Sequence, residues 1–182
     1  ETPRGQTILS ELIEIFNSYS MDKLKDKYLT QANHLKCTIN DRLASTIKAS
    51  KNTELGAKMP NNRFVNPIHS KAKSLYDIKA SKKIVVFWSS TCSHCEAELP
   101  KLLEKYETLK AQNIEIVGFS LDSNLDEFRN KANLYPWIND SEGKGWYSSY
   151  GETYNIVATP TYFVLDADNK IISKPNHVGD VL

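Results

Sequence analysis

The chain has 182 residues and a mass of 20.7 kDa, which suits one compact domain with an added segment and leaves too little for two full-sized domains. Lys and Arg number 23 against 22 Asp and Glu, a net charge of +1, and with 40% hydrophobic and 25% charged residues the composition is ordinary for a globular chain. The longest apolar run, Ile84 to Trp88, is far short of the roughly 18 residues that span a bilayer, so no transmembrane segment is expected. Glu1 to Gly5 carry no basic stretch leading into an apolar one, so any secretion signal or membrane tether is expected to precede residue 1.

Residues 1–80 carry 13 basic and 8 acidic side chains and residues 81–182 carry 10 and 14, giving +5 and −4. Without a basic cluster interleaved with aromatics, the first half reads as solvated helix surface, and no nucleic-acid partner is expected. No repeat or low-complexity tract is present. Ile8, Leu9, Leu12, Ile13 and Phe16 recur at helical spacing behind Thr7 as a cap, and Ser20 would cap a second helix carrying Met21, Leu24, Tyr28 and Leu29. Leu35, Ile39, Leu43 and Ile47 predict a third helix over about 32–50. Between Lys51 and Pro67 the periodicity stops and Gly56, Pro60, Asn61, Asn62 and Pro67 gather, which reads as a linker or entrance loop with a boundary near residue 56.

From residue 82 the pattern changes. Ile84-Val85-Val86-Phe87-Trp88 predicts a strand buried on both faces, Ala97 to Leu109 a helix, and Ile114 to Phe119 a second strand, together a β-α-β unit with parallel strands. A further helix is expected within Asp122–Ala132 and a short helical piece within Gly145–Tyr150. Thr161–Leu165 and Lys170–Ser173 flank Asp166-Ala167-Asp168-Asn169 as a hairpin. The sum is a mixed α/β sheet.

Three cysteines are too few for a disulfide scaffold. Cys92-Ser93-His94-Cys95 reads as a redox pair, and the distant Cys37 most simply as a small buried apolar residue. Cys92 falls where a strand hands over to a helix, and the open N–H groups there stabilise a thiolate, so Cys92 is expected to attack. Cys95 lies one turn inward as the resolving thiol. His94 would favour the Cys92 thiolate and make the oxidised pair a better electron acceptor; a solvent-facing loop residue is the plain alternative. Glu98 shares a helix face with Cys95, and a buried carboxylate of raised pKa there would take the Cys95 proton; otherwise it is a surface acid favoured by the helix dipole. No metal site is expected, because the one further His–Cys pair, His34 and Cys37, lies some 55 residues upstream in a predicted helix. Glu96 occupies the place where haem attachment needs His.

The run Phe87-Trp88-Ser89-Ser90-Thr91-Cys92-Ser93-His94-Cys95-Glu96-Ala97-Glu98-Leu99-Pro100 resembles the thioredoxin superfamily, in its TlpA/ResA-like branch of bacterial envelope thiol-disulfide oxidoreductases. The likeness covers about residues 54–175, including Gly56 to Pro60 and Tyr154 to Thr161. It implies a thioredoxin-like mixed sheet flanked by helices over 57–182, with an N-terminal helical extension and linker over 1–56. It also implies a cis peptide before Pro160, which would face the cysteines while the backbone around Thr159 pairs with an extended substrate. Trp88 corresponds to the aromatic beneath the pair and joins Thr159 and Pro160 as an expected substrate-binding residue. The branch places a functional Glu where Glu98 stands. Two positions depart from thioredoxin itself: its buried Asp is Val86 here, and the Trp before its first cysteine is Thr91. The implied activity is exchange with protein thiols and disulfides in the periplasm or cell envelope, alongside a redox partner protein, with no cofactor beyond the Cys92–Cys95 disulfide. Two rivals remain. A peroxiredoxin-like peroxidase would want Pro and Thr where Val85 and Ser89 stand, and a non-enzymatic adaptor would keep the pair only as a vestige. The family usually adds a final helix, so either His177–Leu182 begins one or the N-terminal helices cover that face of the sheet.

Overall fold

A computed structural model describes residues 2–19 and 21–181. Three N-terminal helices, α1 (Pro3–Ser18), α2 (Asp22–Asn33) and α3 (Asp41–Asn52), meet through Ile13, Leu29, Ala32, Leu43 and Ile47. The cap of α1 is Thr2, whose hydroxyl accepts from the Gly5 N–H, with Pro3 at a position that needs no donor. Thr7, the expected cap, lies inside the helix and gives its hydroxyl to the Pro3 carbonyl. The other expected cap, Ser20, lies outside the described residues.

The helix expected over 32–50 is interrupted. Asn40 caps α3 by accepting from the Leu43 N–H, and Gln6 pins the preceding loop by donating to the Thr38 carbonyl and accepting from the Asn40 N–H. Leu35 and Ile39 still pack on the helical cluster, but from a loop, so their apolar spacing marks burial and not helix.

Five strands, β1 (Lys82–Trp88), β2 (Ile114–Ser120), β3 (Ile138–Ser141), β4 (Thr161–Asp166) and β5 (Ile171–Ser173), form one sheet in the order β3-β2-β1-β4-β5. β1, β2 and β3 run parallel, β4 runs antiparallel to β1, and β5 antiparallel to β4. Helices α4 (Ser93–Glu104) and α5 (Tyr106–Ala111) connect β1 to β2, α6 (Leu125–Ala132) connects β2 to β3, and α7 (Ser149–Tyr154) precedes β4. The central strand is buried on both faces, as its unbroken apolar run requires. Ile84, Val86 and Trp88 meet Cys95, Leu99, Leu102 and Phe128 on one face, while Val85 and Phe87 meet Tyr150, Tyr154 and Met59 on the other.

The aperiodic stretch after α3 is ordered along the sheet edge. The Gly56 N–H donates to the Ile171 carbonyl at 2.7 Å and the Met59 N–H to the Asn169 carbonyl at 2.9 Å, with Gly56 in the left-handed region at φ +82°. Of the two expected closures of the α4 face, the stretch from His177 does begin a helical turn, and the N-terminal helices do not cover that face. A single 3-10 turn, Val178–Asp180, packs on α4, while the N-terminal helices reach the sheet unit on its other side through α3 and α7. There Asn52 donates to the Thr153 carbonyl at 2.9 Å.

Candidate active site

β1 ends at Trp88, the chain turns through Ser89–Thr91, and Cys92 becomes the N-cap of α4 with extended backbone, φ −88° and ψ 113°. Its Sγ accepts from the Cys95 N–H at 3.2 Å, as an N-cap side chain accepts from the open first turn. Negative charge on this sulfur therefore meets the Cys95 N–H and the positive end of the helix dipole. The Cys92 thiol also donates to the Thr159 carbonyl at 3.2 Å. Thr159–Pro160 is a cis peptide, and both residues are half-buried beside Cys92.

The two thiols differ sharply. Both are free in this structure, with Cys92 half-buried and Cys95 only 2% exposed. Burial, followed by the hydrogen bond with Cys92, pushes the Cys95 thiol up to about 12. Cys95 is thus held as a thiol at neutral pH, behind a partner with access to the surface.

The turn before Cys92 is held by a residue that the sequence reading missed. Asp122, 4% exposed, accepts from the Ser89 hydroxyl at 2.7 Å, the Ser90 N–H at 2.9 Å, the Ser90 hydroxyl at 2.9 Å and the Ser120 hydroxyl at 2.7 Å. Its signal was an aspartate just beyond an apolar strand run, paired in space with two serines some thirty residues upstream, a match no local pattern reveals. Ser89, where a peroxide site would want a free Thr hydroxyl, spends its donor on this carboxylate.

Two sequence expectations are changed. Trp88 cannot touch a substrate: it is 1% exposed, tilted on Phe128 and edge-on to Tyr135 in the core beneath Cys95. Gly118 on β2 makes room for it, because a Cβ there would come within 2.8 Å of the indole Nε1 and 2.2 Å of Asn139 Oδ1. Glu98 has its carboxyl below the usual range, not above it. The first cause is the Val178 N–H, which donates to Oε2 at 2.8 Å, followed by Lys101, whose Nζ lies 2.9 Å from Oε1. Its carboxylate clamps the C-terminal turn onto α4. His94 is exposed in the first turn of α4, and Cys37 lies in the loop between α2 and α3, where it accepts from the Gln6 amide at 3.5 Å.

The thioredoxin-like family matches residues 81–171. The thiol-disulfide oxidoreductase ResA of Bacillus thuringiensis subsp. konkukian is 29% identical over 125 residues, 66% of this chain and 69% of its own. The thioredoxin domain of a thiol-disulfide oxidoreductase from Bacteroides vulgatus is 25% identical, with a TM-score of 0.62 over 70% of this chain and 95% of that one. A thioredoxin-like protein from Bacteroides caccae, 18% identical, shares the fold with a TM-score of 0.62 over 97% of this chain and 74% of its own.

Proposed function

The chain belongs to the thioredoxin-like family, in its TlpA/ResA-like group of thiol-disulfide oxidoreductases, and on that premise we propose that Cys92-Ser-His-Cys95 is the redox pair that exchanges disulfides with protein substrates. The observation that carries the reading is the asymmetry of the two sulfurs: Cys92 caps α4 with access to the surface, and Cys95 is buried behind it.

In the reducing direction the Cys92 thiolate attacks a substrate disulfide. A Cys92–substrate S–S bond forms as the substrate S–S bond breaks, and one substrate sulfur leaves as thiolate. Cys95 then attacks the Cys92 sulfur, the Cys92–Cys95 disulfide forms, and the second substrate sulfur departs with the electron pair. The proton that Cys95 loses is taken up by that departing thiolate, an ordinary thiol base with a pKa of about 8.5. The oxidising direction runs through the same mixed disulfide. The Thr159 carbonyl and Pro160 border Cys92 and supply the backbone edge for an extended substrate strand.

Cys92→Ser is expected to abolish reduction of insulin disulfides, whereas Cys95→Ser accumulates a mixed disulfide detectable by mass. Equal residual activity in the two variants would refute the assigned roles. We assign His94 to tuning of the pair through its place between the cysteines, so His94→Pro is expected to lower the reduction potential by on the order of 30 mV. A potential unmoved within error removes His94 from the mechanism. Family likeness supports a site in the bacterial cell envelope, with protein thiols as substrates and a separate protein as redox partner. Labelling of Cys92 in intact cells by a thiol reagent that does not cross membranes tests that placement.

A further inference from the structure

We propose that the seam between the N-terminal helices and the catalytic fold is the substrate groove, holding the polypeptide that flanks the reacting cysteine and seating one of its apolar side chains against Trp146 and Val157. The inference rests on the reading of Cys92 as the attacking thiol and extends it to what the substrate meets beyond the sulfur.

A hollow of about 100 Å3 begins at Pro160 and Thr161, and a larger one of about 370 Å3 lies between α7 and the N-terminal helices. The two share Asn155, Ile156 and Val157, so a chain leaving Cys92 over Thr159 passes from one into the other. Trp146 is 50% exposed and Val157 42% exposed on this path, an aromatic and an aliphatic surface of the kind that anchors a bound chain. The far wall comes from the extension. Glu14 of α1 and Arg42 of α3 form an ion pair at 2.9 Å, and Thr46 of α3 donates its hydroxyl to Glu14 at 2.8 Å.

A third hollow, of about 390 Å3, lies by the turn before Cys92, lined by Ser90 and Thr91 from that turn, by Lys131 of α6 and by Leu134 just after it. Its exposed apolar side chain is Leu134, 63% exposed, it has no aromatic in its lining, and Pro160, which lines the seam beside Cys92, does not line it. The seam is therefore the path for the substrate chain.

The test traps the substrate in place. The Cys95→Ser protein is mixed with a peptide whose single cysteine is activated as its 2-pyridyl disulfide, with a benzophenone amino acid near that cysteine on either side in two parallel peptides. The Cys92 thiolate displaces pyridine-2-thiolate and forms the peptide disulfide, after which light fixes the flanking chain. Cross-links on Trp146, Val157 or the α3 residues Ser45 and Thr46 are the expected result. Cross-links confined to Lys131 and Leu134 would overturn the groove while leaving the exchange chemistry intact. Failure to form the mixed disulfide would overturn the Cys92 assignment and the groove with it. In the wild-type background, Trp146→Ala is expected to lower kcat/KM for insulin relative to that for a small aromatic disulfide by roughly fivefold or more, through KM. An unchanged ratio contradicts the proposal.

Discussion

Two carboxylates hold the two ends of the region around α4, and they do so differently. In front, Asp122 is buried and gathers the Ser89, Ser90 and Ser120 donors, fixing the turn that delivers Cys92. Behind, Glu98 is partly exposed and joins one N–H of the C-terminal turn to Lys101 on its own helix. The spacing of Cys95 and Glu98 places them on one helix face, but a shared face does not say what lies across it. Here the Val178 turn lies across Glu98, and the carboxylate that shapes the presentation of the reactive thiol comes from the end of a different strand.

The sharpest way to break this contrast is Asp122→Ala. It strands several donors in a buried place and is expected to cost about 3–4 kcal/mol of stability, read as a denaturation midpoint lowered by roughly 6–16 °C. It should also slow the reaction of Cys92 with alkylating agents, because the turn before the cap is released. A variant as stable and as reactive as wild type would show that the network is incidental.

Glu98→Gln should cost less, about 1 kcal/mol at neutral pH, since its ionic contacts are partly open to solvent. The sign follows from its lowered pKa: the stabilisation is present above the ordinary carboxylate range and is lost as pH falls through the lower folded value. The stability gap between wild type and Glu98→Gln should therefore narrow below about pH 4. A gap that widens in acid would restore a raised pKa and with it the proton-accepting role.

Much of this architecture is visible in the linear chain because its signals are local. The apolar run at Ile84–Trp88 and the spacing of Leu99 and Leu102 report burial directly, and the residues around Asp166–Asn169 report the turn between β4 and β5. β3 escaped because Ile138-Asn139-Asp140-Ser141 shows no apolar alternation. It is a strand because β2 offers its edge and because its buried carboxylate is paired elsewhere, Asp140 accepting from the Val65 and Asn66 N–H groups and from the Tyr150 hydroxyl. Asp122 escaped for the same reason: its partners are distant in sequence. At the candidate site the cysteines and the Thr-Pro pair are legible as motifs, while burial separates Trp88, which reads like a contact residue, from Thr159 and Pro160.

The central claim is that one sulfur of the pair is reactive and the other is a buried thiol, and alkylation of the fully reduced protein tests it most directly. With limiting iodoacetamide at neutral pH, followed by peptide mass mapping, the adduct should fall on Cys92, with Cys95 unmodified until the solution is strongly alkaline or the protein is unfolded. Labelling of Cys95 first, or of both at equal rates in the folded protein, would contradict the account.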